Sequence, residues 1–166
     1  MDARSHFETL ARYNRWANRQ LCDVAAQVSD AQYREDRGAF FGSLRGTLNH
    51  ILAVDRLWLE RIEGSGPKPS SLDGILHDGF AGLRAAREAE DERLLRVASQ
   101  TPAERFGSTL AYRSTEGEHY ELPFAQVLTH VFNHQTHHRG QAHTLLGQFG
   151  LKTPVLDFVY FLLESR

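Results

Sequence analysis

Four stretches of this chain place apolar residues three and four positions apart over lengths that α-helices sustain, each leaving one apolar stripe to be covered. The first is expected from about Ser5 to Val28, with Phe7, Leu10, Ala17, Leu21 and Val24 in line. Ser43 is a good N-cap for the second, about Leu44 to Ile62, which the turn-forming Gly64, Gly66, Pro67 and Pro69 close. The third is expected from about Leu72 to Ser99 on the line Leu76, Phe80, Leu83, Leu94 and Val97. Its charged middle, Arg84 to Arg96, reads as a solvated face. Pro123 suits the first position of the fourth, which ends near Gly147 or Gly150. Helices with one stripe each cover one another by packing together, so the fold class is all-α, a four-helix bundle.

The remaining segments are short. Ser29 with Gln32 forms a capping box that opens a brief turn before a loop through Gly38 and Gly42, and Thr153 with Pro154 opens a short C-terminal helix. Between the third and fourth helices the period changes to alternation. Leu110 with Leu122, and Tyr112 with Tyr120, fall opposite each other about Glu116 and Gly117, which predicts a small β-hairpin insertion before the fourth long helix, with an irregular loop as the alternative. No repeat or linker divides the 166 residues, so one domain, 1–166, is expected.

Composition removes several classes of function. Lys plus Arg (19) nearly cancels Asp plus Glu (21), which argues against a nucleic-acid partner held by a broad basic surface. The longest apolar run, Phe158 to Leu163, is far short of the ~20 residues of a membrane helix, and the charged start MDARSHFE lacks a signal-peptide core. A cytoplasmic protein with no membrane partner is the expectation. The lone Cys22 excludes an internal disulfide and cysteine-based metal sites, and is expected to pack as a small apolar residue.

Histidine is the residue out of proportion: of nine in the chain, His130, His134, His137, His138 and His143 crowd onto the fourth helix. On a helical wheel with His130 at zero, the apolar residues fill roughly 60° to 200°, His134 lies at ~40° and His138 at ~80°. These two face inward, one turn apart, and can converge on one ion. His130, His137 and His143 lie on the outer margins and read as polar surface. A buried imidazole pair can also be core residues that donate one hydrogen bond each, so a third ligand from another helix is the discriminating feature. His50, on the second helix, sits among apolar neighbours but ~80° short of the strip's edge, which leaves it between ligand and structural residue. Asp55 falls inside that strip, where an unpaired carboxylate is costly, and is expected to take hydrogen bonds from Asn14, Trp16 or Asn18 on the first helix.

Three segments carry a family resemblance: ARYNRWANRQL (Ala11 to Leu21), TLNHILAVDRLWLERI (Thr47 to Ile62) and HVFNHQTHHRGQ (His130 to Gln141). Together, and in this order, they resemble the DinB/YfiT-like metalloenzyme family over essentially the whole chain. The resemblance implies a four-helix bundle that holds one divalent metal through a histidine of helix two and an H-x-x-x-H pair of helix four. By motif position these are His50, His134 and His138.

Three histidines leave coordination positions free, as in catalytic rather than structural sites, and neutral imidazoles favour zinc first, with nickel, copper or iron as alternatives. Such an ion lowers the pKa of water from near 16 toward about 7, or converts a thiol to thiolate. Related families include thiol-dependent S-transferases and a mycothiol-dependent maleylpyruvate isomerase, while many members have no assigned reaction. The resemblance thus implies a metal-dependent enzyme that activates a low-molecular-weight thiol or water against a small-molecule substrate. A non-catalytic metal-binding bundle (a sensor, a store or a partner-binding module) is the alternative.

Around the ligands, Gln141 is placed to orient a histidine or to serve as ordinary rim polarity, Gly140 suggests close approach by another helix, and Arg139 reads as exposed surface or an attractor of anionic substrate. The apolar C-terminal run FVYFLL, with Phe149, Leu151 and Val155, points to a two-fold homodimer, as the resemblance also does, or to a helix folded back over its own bundle.

Overall fold

The computed structural model describes residues 2–165. Four long helices, α1 (Ala3–Ala25), α3 (Leu44–Glu63), α4 (Phe80–Gln100) and α5 (Phe124–Gln148), form the bundle, with a short α2 (Asp30–Arg34) after the first. A 3₁₀ turn (Ala103–Gly107) leads into a hairpin, β1 (Thr109–Arg113) and β2 (His119–Pro123), and α6 (Phe158–Glu164) ends the described chain. α1 packs on α4 and α5, and α3 packs on the same two, so α1 and α3 face each other diagonally.

The caps follow the sequence. Ser43 accepts from Gly46 N–H at the start of α3, Gly64 closes it in the left-handed conformation at φ 71°, and the Ser29–Gln32 capping box is complete. The hairpin has the expected register, Leu110 opposite Leu122 and Tyr112 opposite Tyr120. Leu110 is buried in the bundle's core, and Tyr112 stacks on Tyr120 with its edge to Trp58.

The third long helix starts at Phe80, eight residues later than its apolar line suggests. Asn49 explains the delay. Its buried side-chain amide accepts from His77 N–H (2.9 Å) and donates to His77 O (3.1 Å), so one side chain occupies both backbone groups that a helical turn there would use. The C-terminal helix likewise starts later than Thr153. The Tyr13 hydroxyl donates to Leu156 O (2.7 Å), and His143 Nε2 donates to Pro154 O (3.0 Å), which ties residues 154–156 across α1 and α5. α6 then folds back, with Phe161 against Tyr13 and Trp16, while Val159, Tyr160, Leu162 and Leu163 remain exposed on its outer side.

The core is not continuous. One apolar cluster gathers Phe7, Ala11, Leu59, Leu94, Leu128 and Phe132, and another gathers Leu21, Ala25, Leu52, Leu83, Ala142 and Leu145. Between them in the sequence of every long helix lie buried polar residues: Asn14 and Asn18, Asp55, Arg87 and Asp91, Gln135 and Arg139. Arg87 meets Asp55 at 2.5 Å and Asp91 at 3.1 Å, and Gln135 Nε2 also donates to Asp55. Asn18 donates to Asp91 (2.9 Å) and accepts from Arg139 (3.1 Å), and Asn14 Oδ1 accepts from Arg139 (2.8 Å).

This layer corrects three expectations. The charged middle of α4 is not a solvated face, because Arg87, Glu90, Asp91 and Arg93 point inward. Arg139 is 2% exposed, not a surface arginine. Asp55 is buried as anticipated, but its partners come from α4 and α5, whereas Asn14 and Asn18 serve Asp91 and Arg139 and Trp16 donates to Glu164. Burial pushes the Asp55 carboxyl up to about 7 against the pull of Arg87. Cys22 is buried, as expected, and burial raises its thiol to about 12. Among the described residues no helix is long and apolar enough to cross a membrane.

Candidate metal centre

His134 and His138 project from the same side of α5 one turn apart, with ring centroids 4.3 Å from each other, and α3 brings His50 against both, at 5.0 Å and 4.5 Å. One nitrogen from each ring lies within 4.8 Å of the other two, and His50 Nε2 is 3.0 Å from His134 Nε2. Two nitrogens on one tetrahedral ion with bonds of about 2.0–2.1 Å are separated by roughly 3.3 Å, so this spacing suits a shared cation.

Two of the three tautomers are fixed by groups that can only accept. The carbonyl of Leu72 lies 2.8 Å from His50 Nδ1, and the side-chain carbonyl of Gln141 lies 2.8 Å from His138 Nδ1. Each Nδ1 therefore carries the proton, and each Nε2 keeps its lone pair for the centre. Gln141 has the role anticipated for it. His134 Nδ1 is buried with no partner.

Burial lowers the pKa of all three rings, His134 furthest, to about 3, where the neighbouring His138 and His50 add to the effect. In His138 the hydrogen bond to Gln141 opposes that shift, and in His50 the Leu72 carbonyl does. Neutral imidazoles at ordinary pH are the form that binds a metal. The donor set, its tautomers and its spacing thus fit a divalent transition ion, without choosing among zinc, nickel, copper and iron.

The other histidines of α5 stay outside. His130 packs its edge on Trp58 at 5.3 Å, His137 accepts from the Gln141 amide at 3.4 Å, and His143 holds Pro154. Gly140 does not mark a close helix approach: a Cβ built there meets nothing within 4 Å, because the position faces an open cavity beside Arg139 and Tyr13.

Phe41 is the member of this site that periodicity did not reveal. It comes from the turn Ala39–Gly42, stacks on His50 at 3.8 Å and 21°, and meets His138 edge-on at 5.5 Å. A residue on a two-glycine loop carries no helical or alternating signal. The only hint is an adjacent aromatic pair, Phe40–Phe41, in an otherwise polar stretch.

Comparison with known proteins agrees with this architecture. The model of the DinB family matches residues 1–165. Protein DinB of Bacillus subtilis (strain 168) is 24% identical over 164 residues, covering 95% of this chain and 94% of that protein. The crystal structure of a DinB-like protein from Bacillus cereus ATCC 10987 superposes with a TM-score of 0.68 at 17% identity, over 86% of this chain and 90% of that one. At that identity the structural likeness speaks for the fold alone.

Proposed function

This chain belongs to the DinB family, and on that premise we propose that it is a metal-dependent enzyme in which His50, His134 and His138 hold one divalent transition ion, zinc first among the choices. The reaction is attack by a low-molecular-weight thiol, or by water, on a small electrophile. The observation that supports it best is the convergence of the three rings with two Nδ1–H groups already committed to Leu72 and Gln141.

When bound, the ion supplies Lewis acidity, which makes a thiol or water nucleophilic at neutral pH. The side chains supply position. Leu72 and Gln141 hold two rings with Nε2 inward, and Phe41 covers one face of His50 against water. No carboxylate hydrogen-bonds to any of the three imidazoles among the described residues, so no side chain is assigned as general base. Three protein ligands are one fewer than the closed four of structural zinc sites, and the polar layer closes the bundle's centre with its own charges; both favour a catalytic over a fold-holding ion.

Elemental analysis of protein purified without a polyhistidine tag is the first test, with about one ion per chain expected and its loss in His134→Ala. A screen of thiols and electrophiles follows. Turnover that survives in metal-stripped His134→Ala overturns the scheme. We further propose that the molecule is a cytoplasmic homodimer joined through the outer side of α6, where Val159, Leu162 and Leu163 are exposed. Light scattering across a dilution series tests the dimer, and a monomer at every concentration overturns it.

A further inference from the structure

A cavity of about 500 Å³ lies between the hairpin turn and the loop that follows α3, and the proposed reaction makes no use of it. Arg61, Lys68 and Arg113 line it, with Leu57, Leu72 and Thr115, and no carboxylate does. None of the three cations has a carboxylate within 4.0 Å among the described residues. Many other arginines are paired, as Arg34 and Arg45 are with Asp78 and Arg84 is with Asp23, so three cations without a carboxylate lining one concavity are a local excess of positive charge. Like charges gathered in one concavity repel one another, and an anion among them relieves the repulsion.

Arg61 is the best held of the three. Its guanidinium lies 4.7 Å over the Trp58 ring and 4.5 Å over the Tyr112 ring, and one Nη donates to Arg113 O at 2.9 Å. The aromatic rings fix the plane, and the remaining N–H groups have no protein partner among the described residues. A planar fork held in place with free donors is what recognises a carboxylate or phosphate group.

We propose that this cavity is a binding site for a small oxyanion, a carboxylate or a phosphate group, with Arg61 as its fixed floor and the exposed Lys68 and Arg113 at its rim. Leu72 connects it to the histidines, because it lines the cavity and its carbonyl accepts from His50 Nδ1. The anion is therefore either the acidic arm of a small molecule or free inorganic anion. The inference rests on the cavity's own residues and stands whether or not the histidines carry a metal.

The test is calorimetric titration of the metal-free full chain with inorganic phosphate and, separately, with succinate. It is run on the wild type, Arg61→Gln, Lys68→Gln and Arg113→Gln. We expect saturable binding of at least one anion, weakened by added salt, reduced at least about tenfold by Arg61→Gln and less by the rim variants. Tighter succinate assigns the site to an organic acid arm, and tighter phosphate to a phosphoryl group or free phosphate. No saturation by either anion up to tens of millimolar overturns the proposal, as does binding that no variant changes. Should Arg61→Gln fail to fold, the Lys68→Gln/Arg113→Gln pair decides: weakened binding supports the site, and unchanged binding overturns it.

Discussion

At the middle of the bundle Arg87 stands between two carboxylates, and the amides of Asn18 and Gln135 donate to those carboxylates, while Asp55 Oδ1 and Arg87 Nε are left without a hydrogen-bond partner. A few residues away along α3 and α5, His50 and His138 turn lone pairs inward, and His134 Nε2 stands 3.0 Å from that of His50, with no carboxylate hydrogen-bonded to any of the three rings among the described residues. Both clusters displace apolar packing, so both cost the fold something that must be recovered. The layer recovers it internally, by opposite charges. The histidines are built to recover it from outside, by a cation. One cluster therefore belongs to stability and the other to binding, and variants in each should fail in different ways.

The largest effect is expected from breaking the layer. Arg87→Ala leaves Asp55 and Asp91 buried without their shared cation and should cost about 3–5 kcal/mol in urea unfolding, with or without metal. A loss below about 1 kcal/mol would show that water or Arg139 replaces it. His134→Ala should do the reverse. Above pH 6.5 it should leave metal-free stability nearly unchanged while weakening metal affinity by more than about a hundredfold, read by competition with a chelator. Gln141→Leu removes only the acceptor of the His138 proton, and about 10–100-fold weaker metal binding with an unchanged fold is expected.

Acid separates the clusters by sign. His134 titrates at about 3 in the folded chain against an ordinary 6.5, so its contribution is full above 6.5 and is lost as pH falls through that window. Asp55 titrates at about 7 against an ordinary 3.8, so its contribution is full below 3.8 and is lost as pH rises through 7. Urea midpoints of the metal-free protein from pH 4 to 8 should therefore show less acid loss in His134→Ala than in the wild type, and more in Asp55→Asn. Parallel profiles in all three would sink the comparison. The smallest effect is expected at Gly140, which follows Arg139 on α5 and has open space beside it. Gly140→Ala should add about 0.5–1 kcal/mol to stability and leave metal binding alone.

Much of this was legible from periodicity. The wheel of α5 selects His134 and His138, the resemblance adds His50, and the alternation about Glu116 yields the hairpin register. The polar layer was legible too, but only to a reading that follows position instead of polarity. On the α5 wheel Gln135 falls at roughly 140° and Arg139 at roughly 180°, both within the apolar arc. On α4, Leu83, Arg87, Glu90, Leu94 and Val97 form one unbroken helical stripe. Charge masked that stripe because charged residues are usually exposed. Two features left no periodic signal. The late start of α4 is set by Asn49 from another helix, and Phe41 reaches the histidines from a loop.

The contact between Asp55 and Gln135 has a further consequence for how the helices slide past one another. Apolar faces alone would tolerate a slip of α3 along α5 by one turn, about 5.4 Å, since leucine meets leucine in either alignment. Asp55 tolerates none, because Gln135 is the one amide on the buried face of α5, and only one level of α4 offers it Arg87. Gln135 immediately follows His134 in the chain, and Asp55 lies just over one turn beyond His50. The polar layer thus works as a ruler: by fixing which turn of α3 stands beside which turn of α5, it sets the height at which three distant histidines meet.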